Sequence, residues 1–230
     1  MLVRRGYALH VASLDTAGSR DGLSPERAWW LRVPAVLLSP RPVFFALRED
    51  DPDDIHARAE PILLVLWLAG AASVLTSPVA GRLFDEANYD AVDVALWTFI
   101  GGGIYGAACY LVFGFALHFG SRLVGSQGSF LRERHIIAFA AVPLALSLLL
   151  VLPLRLALYG GDTFRVGGAD QGAGETFVLG LQLGFAAWSA ALVVLGVRVV
   201  HGWSWPRALA AAAAAAGLLV AIVGAVQLTL

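Results

Sequence analysis

Long apolar runs separated by short polar breaks dominate the chain from residue 61 onward. About 20 predominantly apolar residues, rising about 1.5 Å each, cross a hydrocarbon core of roughly 30 Å. Five windows reach that length: 61–79, 94–120, 136–158, 176–200 and 207–230. Backbone groups in lipid must be satisfied within the element, and the dyad alternation of a membrane barrel is absent, so each window predicts a helix. The expected fold is all-α, a five-helix transmembrane bundle over 61–230. Pro143 and Pro153 fall inside the third window and predict kinks there.

Ahead of the bundle, 29–47 is apolar and aromatic but broken by Pro34, Pro40 and Pro42 and charged by Arg32 and Arg41. It is too interrupted to span. An amphipathic segment lying in the headgroup region is expected, followed by an acidic linker to residue 60. Residues 1–28 have no clear period and are expected to form a mobile tail, with Ser24-Pro25-Glu26 as a helix-start signal. Two GxxxG spacings, Gly102/Gly106 and Gly180/Gly184, predict close packing between the second and fourth spans, with self-association as the other use of such a face.

Composition supports the membrane reading. Apolar residues make up 58% of the chain and charged ones 14%, against roughly 45–50% and 25% in soluble domains. A disordered chain, a disulfide scaffold and an ordinary soluble enzyme fit poorly. A net charge of −1 supplies no field for nucleic acid, so none is expected as a partner. Cys109 is the sole cysteine, which excludes an intramolecular disulfide and a cysteine-built zinc site. Arginines near the span ends divide eight (41, 48, 58, 122, 132, 134, 198, 207) against three (82, 155, 165). The positive-inside rule then puts the N-terminus in the cytoplasm and the C-terminus outside, in a multi-pass protein of the cell membrane.

Candidate chemistry is sparse. Arg155, Gln182, Gln227 and His118 are the polar residues of the spans, and no carboxylate lies deep in one. Arg155 is close enough to a span end to snorkel to the interface. His56, His118, His135 and His201 come from separate segments without metal-ligand spacing. No Gly-x-Ser-x-Gly, GxGxxG or Walker loop occurs. No catalytic residue, metal or cofactor is therefore assigned.

Two connections on the positive side stand out. One carries Arg122, Gly125, Gln127, Gly128, Phe130, Arg132 and Arg134; the other carries His201, Trp203 and Trp205 between Arg198 and Arg207. Aromatic anchors within an arginine rim suit anionic headgroups or an acidic cytoplasmic protein. The bland alternative is an interfacial aromatic belt with topology-setting arginines.

These connections resemble the Yip family of Ypt/Rab-interacting membrane proteins and their bacterial relatives. The resemblance rests on His118 ahead of a Gly125-Ser126-Gln127-Gly128-Ser129-Phe130 loop, Pro143 early in the next span, and Trp188 in the one after. It also rests on the His201-Gly202-x-Ser204 turn and on Pro40 to Phe44 before the first span. It covers about 30–230, with Ser126 standing where a second glycine is usual. It implies a five-helix bundle with a cytoplasmic N-terminus and no established enzyme activity. In eukaryotes the family is associated with Rab GTPases, but no Rab partner is carried over to this chain. The expected function is a non-enzymatic scaffold or adaptor in membrane organisation or trafficking. The alternative is a small transporter or channel, assembled as an oligomer. A polar path on which Arg155, Gln182 and Gln227 converge would favour transport.

Overall fold

A computed structural model describes residues 25–51, 53, 55, 60–76, 91–160 and 173–229. The expected tail over 1–24, His56, Arg58, Arg82 and Arg165 lie outside these residues. The helices delimited among the described residues are, in order, α1 Pro25–Leu38, α2 Pro40–Glu49, α3 Glu60–Leu75, α4 Ala91–Leu123, α5 Phe130–Ala140, α6 Val142–Tyr159, α7 Ala173–His201 and α8 Trp205–Thr229. The start signal at residues 24–26 matches the first turn of α1, so helix begins three residues before the expected end of the tail.

An all-α, multi-span membrane fold is present. Among the described residues, four stretches are long and apolar enough to cross a membrane: Val92–Leu123, Phe130–Tyr159, Gly174–His201 and Trp205–Leu228. The first expected span corresponds to α3, which has 16 residues. At 1.5 Å per residue that is about 24 Å, short of the roughly 30 Å core.

The third span starts earlier than expected, at Phe130, because Ser129 caps it by accepting from the Arg132 N–H at 3.4 Å. Its interruption is sharper than a kink. Helix ends at Ala140 and resumes at Val142. Pro143 lacks an N–H for the carbonyl four residues back, and its ring crowds that carbonyl. Pro153, by contrast, sits within α6 without ending it.

α3 runs antiparallel to α4 in the most intimate packing of the bundle. A Cβ on Gly70 would overlap the Gly102 carbonyl, one on Gly106 the Leu66 carbonyl, and one on Gly102 would lie 2.8 Å from the Ala71 backbone. Trp67 closes the contact, donating its indole N–H to the Phe99 carbonyl at 2.7 Å. The expected meeting of second-span and fourth-span glycines is therefore not made. Gly102 and Gly106 face α3, while a Cβ at Gly180 or Gly184 of α7 would meet nothing within 4 Å. Spacing marks a smooth face but cannot say which helix covers it. The alanine run over 210–216 has a definite partner, because Ala211 and Ala215 pack on Gly120 of α4.

Residues 25–49 form a helical hairpin docked on the bundle, whereas a segment lying along the surface was expected. Arg32 of α1 pairs with Asp50 just past α2, and Arg32 also covers the Trp29 ring at 4.2 Å. Trp29, Val36, Phe44 and Leu47 are buried in the main core. Trp29 stacks on Phe139, which Phe44 meets edge-on. Gly196 of α7 admits the Phe44 ring, since a Cβ there would come within 2.9 Å of it. The prolines divide the segment into two short helices, and each then has an apolar face to bury against protein.

Candidate functional site

Both motif-bearing connections are built as helix C-caps. At the end of α4, Gly125 takes a φ of 89°. Its N–H donates to the Arg122 carbonyl at 3.0 Å and the Ser126 N–H to the Ser121 carbonyl at 2.9 Å. At the end of α7, Gly202 takes a φ of 66°, with the Gly202 N–H on Val199 at 3.3 Å and the Trp203 N–H on Arg198 at 2.9 Å. Each is a Schellman arrangement, which needs a left-handed residue at one position and tends to select glycine there. Ser126 occupies the following position, where φ is not positive, so serine suits the turn. Its hydroxyl accepts the Gly128 N–H at 2.9 Å.

The two caps are locked to each other. Arg207 donates from Nε at 3.1 Å and from a terminal nitrogen at 2.8 Å to the Val124 carbonyl. That satisfies a carbonyl which a helix end leaves without an internal partner. His201 Nδ1 lies 3.5 Å from Ser126 Oγ, and a Cβ on Gly128 would crowd the His201 ring at 2.8 Å. On its other side, His201 Nε2 meets Glu133 Oε1 at 2.8 Å. Glu133 is fully buried and the His201 side chain is 8% exposed.

Glu133 escaped the sequence reading. It sits between Arg132 and Arg134, where a charged triplet reads as solvated surface. Tertiary packing turns the middle residue inward and the two flanking arginines away. The available signal was its register, three residues ahead of the buried Ile136 on one helical face.

Several residues assigned to an open surface have internal partners. Trp203 is stacked on His201 at 4.4 Å and covered by Arg207 at 4.4 Å. Phe130 lies between His118, at 5.6 Å, and Arg134, at 4.7 Å. Arg132 donates to the Asp50 carbonyl at 3.1 Å, tying α5 to the hairpin. Arg198 covers Trp205 at 4.5 Å. Exposed on this face are Arg48, Arg122, Gly125, Gln127, Gly202, Trp205 and Arg207. The exposed patch is thus smaller than the sequence suggested, on a rigid base.

The polar residues of the spans do not form a path. Arg155 and Gln182 border one cavity of only about 20 Å³, roughly the room one water needs. Arg155 also faces Glu175 of α7 at 3.9 Å. Gln227 is exposed on α8 and does not line that cavity. The described histidines have separate surroundings: His118 packs on Phe130, His135 contacts the Leu131 carbonyl at 2.9 Å, and His201 pairs with Glu133. Among the described residues, no group of three or more His, Cys, Asp or Glu side chains is placed to hold a metal.

Comparison with protein families gives a match to the Yip1 domain over residues 35–227, which takes in the hairpin turn, both caps and all the long helices. Comparison with curated proteins finds no match. Comparison with solved structures finds none either.

Proposed function

Since the chain belongs to the Yip1-domain family of membrane proteins, we propose that it is a non-enzymatic scaffold or adaptor that works through the patch around its two linked helix caps. The observation that carries this reading is the locking of the 125–130 loop to the 201–205 turn through Arg207, His201 and Glu133. A rigid base lets an exposed aromatic and exposed arginines act with little ordering cost on binding. Trp205 offers the aromatic anchor; Arg48, Arg122 and Arg207 offer positive charge. That combination suits an acidic cytoplasmic protein or anionic headgroups, each arginine near an anionic surface contributing about 1 kcal/mol. The orientation that goes with it has the caps and the N-terminus in the cytoplasm of a cell-membrane protein, as the arginine bias indicates.

The test is Arg122→Gln combined with Trp205→Ala, two exposed side chains whose loss leaves the Glu133–His201 and Arg207–Val124 contacts in place. Crosslinking in native membranes, followed by identification of bound proteins and lipids, should show a partner or anionic lipid lost while detergent melting is unchanged. A folded variant that keeps every copurifying protein and anionic lipid would leave the patch without a binding role.

A further inference from the structure

A cleft of about 230 Å³ lies between α4 and α7. Tyr105 and Cys109 of α4 form one wall and Ser189 and Ala190 of α7 the other, with Gly70 of α3 and Ala141 of the α5–α6 break also in the lining. Tyr105 and Ala190 are exposed whereas Gly70 and Ser189 are buried, so the mouth faces sideways and the back is sealed. Ser189 is twelve residues from the end of α7 at His201, about 18 Å along a helix axis. The mouth therefore opens near the middle of a core of roughly 30 Å, where lipid chains and not water are the surrounding medium.

The cleft exists because its two walls are held apart. α4 packs chiefly on α3, α5 and α8, and α7 on α2, α5, α6 and α8. Left empty, such a space costs its lining the dispersion contacts that a packed interior supplies. Its volume admits on the order of eight groups of water or methylene size at about 30 Å³ each. That is a segment of a single chain, and too small for a whole lipid. The Ser189 hydroxyl has no hydrogen-bond partner, whereas Ser73, in the lining from α3, bonds back to the Ala69 carbonyl at 2.9 Å. Serines in membrane helices commonly bond back in that way. At Ser189, then, a larger side chain displaces no internal hydrogen bond and has open volume ahead of it.

We infer that one hydrocarbon chain of a bilayer phospholipid resides in this cleft as a stable part of the fold, joining α4 to α7. The full chain would be reconstituted into phosphatidylethanolamine–phosphatidylglycerol vesicles containing a phosphatidylglycerol analogue with a mid-chain diazirine. After irradiation, adducts would be mapped by mass spectrometry. Adducts should concentrate on Tyr105 and Cys109, well above the level on the lipid-facing residue Val223 of α8. In Ser189→Phe, which fills the cleft, the adducts on Tyr105 and Cys109 should fall to the level on Val223, which itself stays unchanged. Equal labelling of cleft and α8 in the unmodified chain overturns the inference, and that comparison decides the matter even where the variant fails to fold. An excess of cleft labelling over Val223 that survives in a folded Ser189→Phe protein overturns it equally.

Discussion

The Glu133–His201 contact joins α5 to the end of α7 with both side chains withdrawn from water. Removing one member of such a pair leaves the other polar group buried and unmatched, which costs about 1–3 kcal/mol and more for a charged group. Replacing both by apolar groups of similar size is often close to neutral, because the desolvation of the pair disappears with it. Glu133→Ala should therefore lower stability strongly in detergent denaturation. Glu133→Leu combined with His201→Phe should recover most of that loss. A double variant no more stable than the single would mean that geometry peculiar to the pair holds the caps together. No such effect is expected at Gln127, which is exposed on the same face.

At the scale of elements, α3 and α4 approach until backbones touch, while Gly180 and Gly184 of α7 face open space. Gly106→Leu should lower the melting midpoint markedly, since a leucine side chain would have to enter the space held by the Leu66 carbonyl. Gly184→Leu should leave it unchanged in the isolated chain. Equal melting of the two variants would remove the packing role of Gly106; a loss confined to Gly184→Leu would point to a covering partner on α7. The hairpin makes a second prediction. The Arg32–Asp50 pair closes α1 onto the end of α2, so the hairpin returns to the side from which it enters. In a background lacking Cys109, single cysteines at Arg32 and Arg41 should react with an impermeant maleimide from one side only, the side that also labels Gln127. Labelling of the two positions from opposite faces would require a crossing between them.

At the scale of the whole molecule, the described residues gather a linked set of polar contacts at one end. The hairpin, the 125–130 loop and the 202–204 turn share one end, linked by Arg132 to Asp50 and by Arg207 to Val124. The other end has the Arg155–Glu175 contact between α6 and α7. Arginines 48, 122, 132, 134, 198 and 207, which the positive-inside argument assigned to one side, belong to the first end. Burial thins toward the periphery: only 11% of the apolar window of α8 is buried, against 44% for the span formed by α5 and α6. α8 thus presents most of its surface to lipid, and the α5–α6 span lies nearest the core.

Hydrophobic run length by itself determined that this chain is helical and membrane-embedded, because a backbone in lipid has few ways to satisfy its hydrogen bonds. The interruption around Pro143 was also legible, being a local property of the backbone. Tertiary structure alone decided which smooth faces meet. Gly102 and Gly180 sit in equivalent spacings, yet one is covered and the other open, since a small residue specifies no partner. It alone decided that Trp29 and Phe44 turn into protein and not into headgroups, as both environments accept an aromatic ring. And it alone buried Glu133 between two half-buried arginines, because a carboxylate can leave water only when the fold brings it a partner, here a histidine 68 residues away.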